Sequence, residues 1–472
     1  MYNHRKLNLT VILFLALALL LSACGGNAAS NASSNQANPG ANTAGNSGSE
    51  EAKPEEGTKP SGTLKVQLVG DFVLEDKTDP VSGQTSRGVK VLKEEFERLY
   101  PGTTVEFVLM GWDNYNEKTQ TMLQSGAADV YQVPGITSFT EQGLLEPLQP
   151  YIDKDQFDLG VYLDGQVEGW KTMGPSDQEP QIYGLPFIGD ARLIVYDSQL
   201  FEDWGVEPLS ESPTMQEIVE KAAAMTGKNP KTGEMNYGLT YKGGDAADTV
   251  MNINESLGGK WGEGFLWKDM KLEFDSETMI QSLDLLKEAT KYAPEGVLAG
   301  QGAENFLREN NNVAINLRIV PGFINDIATF GLEDRYKAAL LFKNPTTGTG
   351  GMFAGSPFSI GASAKNKDLA WEWVKFSSGE FFQQYMWTDQ RSQSMPVVKA
   401  AREWDSVKEI PQMDIILEQM SQLWTPRYPY RSGQPRYILS ENVERVLLGE
   451  LSAADAMKRA QEEATAWLTQ QN

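Results

Sequence analysis

From residue 62 to the end of the chain, short apolar runs of period two alternate with longer runs at helical spacing, and this alternation constrains the fold most. Leu64, Val66 and Leu68 alternate with polar neighbours and read as a strand, broken by Gly70-Asp71. Val89, Val91, Leu92, Phe96 and Leu99 then share one face of a helix over 88–99, which Tyr100-Pro101-Gly102 stops. Val105, Phe107 and Leu109 form a second strand, 115–125 a second helix, and Asp129-Val130-Tyr131 a third short strand. A β-α-β-α-β order requires right-handed crossovers and a largely parallel sheet, hence an α/β fold. The pattern resumes after Tyr183, with helices at 215–225, 277–292, 368–377 and 440–471 and strands at 192–196, 313–317 and 358–360. No short tandem repeat is present.

Roughly 410 residues follow position 62, enough for two domains. Ligands of such sheets bind outside the carboxyl ends of the strands.

Upstream, the basic residues His4, Arg5 and Lys6 precede an uncharged run over 9–21, too short for a membrane span of about 20 residues. It reads as a secretion signal ending in Leu21-Ser22-Ala23-Cys24, where Cys24 is the only cysteine of the chain. Residues 25–61 hold no Leu, Ile, Val or aromatic side chain and cannot bury enough apolar area to offset ordering entropy. They are a tether reaching roughly 30–35 Å.

Composition removes whole classes of function. His4, in the leader, is the only histidine, so Ser-His-Asp and Cys-His catalysis and imidazole zinc sites are impossible in the exported chain. With 41 Lys plus Arg against 64 Asp plus Glu, the net charge of −23 disfavours nucleic acid and anionic headgroups. Gly348-Thr349-Gly350-Gly351 lacks the Lys-Ser or Lys-Thr of a phosphate loop and reads as a turn. Asp153 to Asp158 starts like a calcium loop but has Asp158 where glycine is needed. No cofactor and no metal are expected. Paired-carboxylate glycoside chemistry stays open, as a secreted carbohydrate-active enzyme.

Loops carry Trp112-Asp113-Asn114-Tyr115, Trp261, Trp387 and Trp424, whereas Trp371 and Trp373 lie on a helix and read as core. An indole stacks on the apolar face of a sugar ring while carboxylates and amides take its hydroxyls, so carbohydrate is the expected ligand.

Two resemblances sharpen this. Leu21 to Cys24 resembles the lipobox of bacterial lipoproteins, which implies a diacylglyceryl thioether on Cys24, cleavage ahead of it, and attachment to the extracytoplasmic face of the cell membrane. From about Gly62 onward the chain resembles the family 1 extracellular solute-binding proteins of ABC importers, the maltose-binding-protein-like group. The matching pieces are Phe96-Glu97-Arg98-Leu99-Tyr100-Pro101-Gly102, Ser125 to Val130, Gly143-Leu144-Leu145-Glu146-Pro147-Leu148 and Tyr183-Gly184-Leu185-Pro186, then Val195 to Phe201, Asn312 to Asn316 and Gly355 to Ile360 with Ala364-Lys365-Asn366-Lys367.

The resemblance implies a two-lobed periplasmic-binding-protein type II fold: leader 1–23, tether 24–61, one lobe from 62–190 and 357–395, the other from 191–356 and 396–472. Crossovers fall near Asp190, Ser356 and Met395-Pro396. It implies a monomer that delivers ligand to ABC permease subunits, with ligand contacts at Asp71, Trp112, Tyr115, Asp129, Gln132, Asp190, Arg192, Trp261, Arg318, Phe323, Trp387, Arg436 and Tyr437. Val320 or Phe323 stands where the family usually has Trp, and Arg436-Tyr437 where it has Trp-Tyr. For Asp190 and Arg192 the competing role is a structural ion pair, and for Asp129 a helix or turn cap. A polyamine or other non-sugar solute, or a sensor role, remains an alternative.

Overall fold

The computed structural model describes residues 59–78, 80, 85–264, 270–348, 355–389, 395–422 and 434–471. The expected leader, Cys24, the expected tether up to residue 58 and Trp424 lie outside the described residues.

The first half of the fold runs β1 (Gly62–Val69), α1 (Lys90–Leu99), β2 (Thr103–Met110), α2 (Tyr115–Ser125), β3 (Val130–Gln132), β4 (Leu185–Ile188), β5 (Leu193–Asp197), α3 (Met215–Ala224), β6 (Gly227–Lys228) and β7 (Met235–Thr240). Then come α4 (Ala246–Ser256), α5 (Glu277–Thr290), β8 (Val313–Ile319), α6 (Phe323–Phe330), β9 (Tyr336–Leu340), β10 (Ser356–Ile360), α7 (Lys367–Ser377), α8 (Met413–Met420), α9 (Gln434–Leu447) and α10 (Ala453–Gln471). Shorter elements connect them.

Two five-stranded sheets result, in the orders β2-β1-β3-β10-β4 and β6-β7-β8-β5-β9. β1 lies parallel to β2, from Gly62 opposite Thr103 to Val69 opposite Met110, and parallel to β3. β10 is antiparallel to both of its neighbours. In the second sheet β7 and β8 are parallel, while β5 is antiparallel to β8 and β9. Both sheets are therefore mixed rather than largely parallel. The cause is topological: β5 and β10 each follow a crossing from the other sheet, so they start at the carboxyl ends of the parallel strands and run back.

Local signals explain the elements. α1 buries Val91, Leu92 and Phe96 on one face, and Gly102 takes the positive φ that turns the chain after it. α3 starts where Thr214 Oγ1 accepts the Glu217 amide at 3.1 Å, and α7 where Asn366 Oδ1 accepts the Leu369 amide at 3.1 Å. Trp371 and Trp373 are core, as their helical spacing implied. Trp373 meets Phe96 edge-on at 5.0 Å, a pair worth about 0.5–1.5 kcal/mol beyond its buried area.

The helix expected over 440–471 is two helices, α9 and α10. Gly449 adopts φ +82° between them, and the Ser452 hydroxyl accepts the Asp455 amide at 3.1 Å to start the second. The turn lets α10 fold back on α9.

The second sheet is covered on both faces, which is why every residue of β5 is buried. Leu193 and Val195 face a cluster shared with the first sheet, α6 and α8, while Ile194 and Tyr196 face α3, α4, α5, α9 and α10. Val397, Val398 and Ala401 also pack into the first of these clusters.

Candidate functional site

β10 is antiparallel to both β3 and β4, so β4 points the same way as β1 and β3. The carboxyl ends of all three, at Val69, Gln132 and Ile188, therefore lie at one end of the first sheet. From Ile188 the chain passes through Gly189-Asp190-Ala191-Arg192 into β5, and Leu193 sits opposite Ile319, the last residue of β8. This crossover thus joins the carboxyl ends of the parallel strands of both sheets. Its backbone is pinned: Gly189 donates to the Met395 carbonyl at 2.8 Å and accepts the Met395 amide at 2.7 Å. A β-carbon at Gly189 would collide with the Met395 carbonyl and the Met420 methyl.

A charged cluster gathers at this crossover. Asp190 accepts the Ala191 amide at 2.8 Å with one oxygen and Arg192 Nη1 at 2.6 Å with the other. In β8 the register against β5 slips by one residue between Asn316 and Ile319, a bulge that sets the aim of Arg318. Arg318 Nη1 lies 3.2 Å from Asp245 and 3.4 Å from Asp248, and the side chains of Arg318 and Asp248 are each 2% exposed. From the first turn of α9, Arg436 grips both oxygens of Asp248, Nε to Oδ1 at 2.9 Å and Nη2 to Oδ2 at 2.6 Å. Burial pulls the Arg192 pKa down, but the fields of Asp190, Asp245 and Asp248 outweigh it and hold the guanidinium above its ordinary value. Three guanidinium groups thus face three carboxylates. The balance lets buried charge persist, because each ion keeps a partner.

The first sheet contributes aromatic surface. Trp112, just past β2, is 55% exposed and meets Tyr115 edge-on at 5.5 Å. Its ring lies against Gly70, where a β-carbon would stand 3.4 Å from Trp112 Cζ2, and exposed Asp71 follows directly. The Tyr115 hydroxyl donates to the Gln132 carbonyl at 2.9 Å, which ties α2 to the end of β3. The Gln132 side chain itself is buried, accepting the Val69 amide at 2.9 Å and donating to Ser356 Oγ at 3.2 Å. Gln132 therefore braces the strand ends.

Other expected contacts lie elsewhere. Asp129 sits at the opposite end of β3, where its carboxylate accepts the amides of Lys65 at 2.9 Å and Lys365 at 3.1 Å, so it clasps strands. Phe323 and Trp387 are buried in the core, and Trp387 Nε1 is satisfied by the Ser406 carbonyl at 2.8 Å, which leaves no ring face for a ligand. Trp261 is buried and stacks on Phe274 at 6.3 Å, though one side of it walls a cavity of about 270 Å³. Tyr437 is exposed beside Arg436.

The structure brings together Asp190, Arg192, Arg318 and Arg436, with Asp71, Trp112 and Tyr115 at the ends of the first sheet. Sequence reasoning missed Asp245 and Asp248. Their signal was Gly243-Gly244-Asp245-Ala246-Ala247-Asp248, a glycine pair after a strand followed by two carboxylates three apart at the start of a helix.

Two α/β lobes, joined by crossovers, present a charged cluster where their strand ends converge. The same architecture is found in the sugar-binding protein MalE of Xanthomonas citri, with TM-score 0.69 and 18% identity over 87% of this chain and 98% of that one. An ABC substrate-binding protein of Listeria monocytogenes, solved in complex with cycloalternan, aligns with TM-score 0.67 and 16% identity over 87% and 100%. In sequence, a Brucella abortus binding protein is 24% identical over 310 residues, 62% of this chain and 69% of that protein. The model of the bacterial extracellular solute-binding protein family matches residues 82–380, and the chain belongs to that family.

Proposed function

We propose that this protein is a lipid-anchored receptor that captures a carbohydrate, an oligosaccharide, by closing two lobes around it and hands it to the membrane subunits of an ABC importer. The observation that carries the ligand class is the charge balance at the crossover, Arg192, Arg318 and Arg436 against Asp190, Asp245 and Asp248. A neutral, hydroxyl-rich ligand meets both donors and acceptors there without unbalancing the buried charge. Exposed Trp112 offers a ring face alongside. The relatives of Xanthomonas citri and Listeria monocytogenes, described as sugar-binding and as bound to cycloalternan, support the same class.

Cys24 anchors the chain through a thioether, and the tether lets the lobes reach a permease, so that local concentration replaces diffusion. The protein acts as a monomer, and Gly189 to Arg192 with Met395 serve as the hinge.

A thermal-shift screen over mono- and oligosaccharides, with polyamines, amino acids and peptides as controls, tests the reading. Carbohydrates alone raise the melting temperature, and the sugar is recovered intact. A response only to polyamines, or release of hydrolysis products, overturns it.

A further inference from the structure

We propose that Asn316 is a positioning residue of the site: its side chain holds the bulge of β8 that turns Arg318 onto Asp245 and Asp248, and it thereby sets how tightly ligand is held. The choice of ligand rests on the carbohydrate reading above.

As far as Asn316, β8 keeps one register with each neighbour. It sets Ile315 against Tyr196 and Asn316 against Val195 of β5, and on its other side Ile315 against Leu239 and Asn316 against Thr240 of β7. At Thr240 β7 ends. Beyond that point the pairing with β5 slips, because Ile319 stands opposite Leu193 and three steps along β8 answer two along β5. The slip changes where side chains point. Leu317 lies in the core cluster with Ala247, Val250 and Met251 of α4, and Arg318, the next residue, pairs with Asp248 of the same helix. Successive residues of a regular strand face opposite sides of the sheet, so an unbulged β8 would turn one of the two away from α4. The extra residue lets both reach it.

Asn316 is joined to the backbone at the point that matters. The Arg318 amide donates to Asn316 Oδ1 at 3.1 Å, an asparagine bonding the main chain two residues on, where β7 no longer flanks β8. Arg318 has little freedom to recover from a change of aim. Its side chain is 2% exposed, and Nη1 stands 3.2 Å from Asp245 and 3.4 Å from Asp248, at the long end of such contacts. The acceptors are fixed in turn. Arg436 holds Asp248 at 2.6 Å, and the turn before Asp245 is set by Gly243, where a β-carbon would collide with the Leu298 carbonyl. The guanidinium therefore has to come to the carboxylates, and the backbone of residue 318 decides whether it does.

The test compares the full chain in detergent with Asn316→Ala, which removes the acceptor, and Asn316→Asp, which keeps an oxygen in its place. Arg318 is followed by the exchange of its guanidinium protons with water, read by nuclear magnetic resonance and assigned with Arg318→Lys, and affinity by calorimetric titration with maltotriose and cellotriose. In Asn316→Ala the exchange quickens and affinity for the bound trisaccharide falls roughly tenfold, while Asn316→Asp restores both. Unchanged exchange in Asn316→Ala overturns the proposal, and so does an Asp variant no better than the Ala one, which marks a merely structural residue. Quickened exchange with unchanged affinity also overturns it, because the aim of Arg318 then does not govern binding. If the wild type binds neither trisaccharide, the oligosaccharide reading fails separately, and the exchange rates alone uphold or overturn the positioning role.

Discussion

Arg436 and Asp248, 188 residues apart in sequence, form a two-pronged ion pair with contacts of 2.9 and 2.6 Å, and this pair fastens α9 to α4. Asp248 also faces Arg318. Asp248→Ala therefore takes one carboxylate from two guanidinium groups in a nearly dry site, although Arg318 keeps Asp245. A loss of about 3–5 kcal/mol is expected, read from the chemical-denaturation midpoint. A loss below about 1 kcal/mol would mean that solvent screens the cluster.

Trp112 has the opposite profile. More than half of it faces solvent, so Trp112→Ala should change stability by no more than about 0.5 kcal/mol. The proposed carbohydrate would lose its stacking face, so its affinity measured by calorimetry should fall roughly tenfold.

Gly189 has no room for a side chain beside the Met395 carbonyl and Met420. Gly189→Ala should destabilise the protein by about 1–3 kcal/mol. It should also alter closure, visible as a changed ligand-induced decrease in radius of gyration by small-angle scattering.

Acid should weaken the fold. Burial raises the Asp155 carboxyl, but hydrogen bonds from Lys375 and Trp371 outweigh it and hold it below the ordinary value. Asp203 is likewise pushed up by burial and pulled down further by Asn229, Gln199 and Lys231. A carboxyl lowered in the folded state binds fewer protons there than in the unfolded chain. Its stabilisation is full above the unfolded value of about 3.9 and is lost as pH falls through the lowered folded value. Melting temperatures measured from pH 7 to pH 3 should drop below about pH 4, and Asp203→Asn should shrink that drop.

Cys24→Ser removes the thiol on which the proposed lipid anchor depends. The variant should leave the membrane fraction for the soluble one, while its purified form binds ligand as before. Retention in the membrane fraction after a high-salt wash would count against the anchor.

Much of the fold was legible in the sequence. The strands at 62–69, 103–110 and 313–319 and the helices at 115–125 and 277–290 stand close to where alternation placed them. Strand direction was less legible, since β5 and β10 run antiparallel only because the chain has just crossed between sheets. The single helix expected over 440–471 failed at Gly449, where a lone glycine in a helical pattern was read through rather than as a stop. Site residues divided by how local their reasons are. Asp190 and Arg192 are near neighbours and were visible as a pair, whereas packing buries both Trp387, which looked like a loop aromatic, and Phe323, which the resemblance placed where the family usually has Trp.

By itself, the sequence determined the α/β alternation, the apolar run before Cys24, the polar composition of residues 25–61 and the single histidine at position 4, because these depend on composition and on neighbours a few residues apart. Only the tertiary structure decided that Arg318, Arg436 and Asp248 meet, that a bulge aims Arg318, and that Asp129 clasps strands while Trp112 stays open. Periodicity is written into local spacing. An ion pair spanning 188 residues exists only after the sheets and helices have packed.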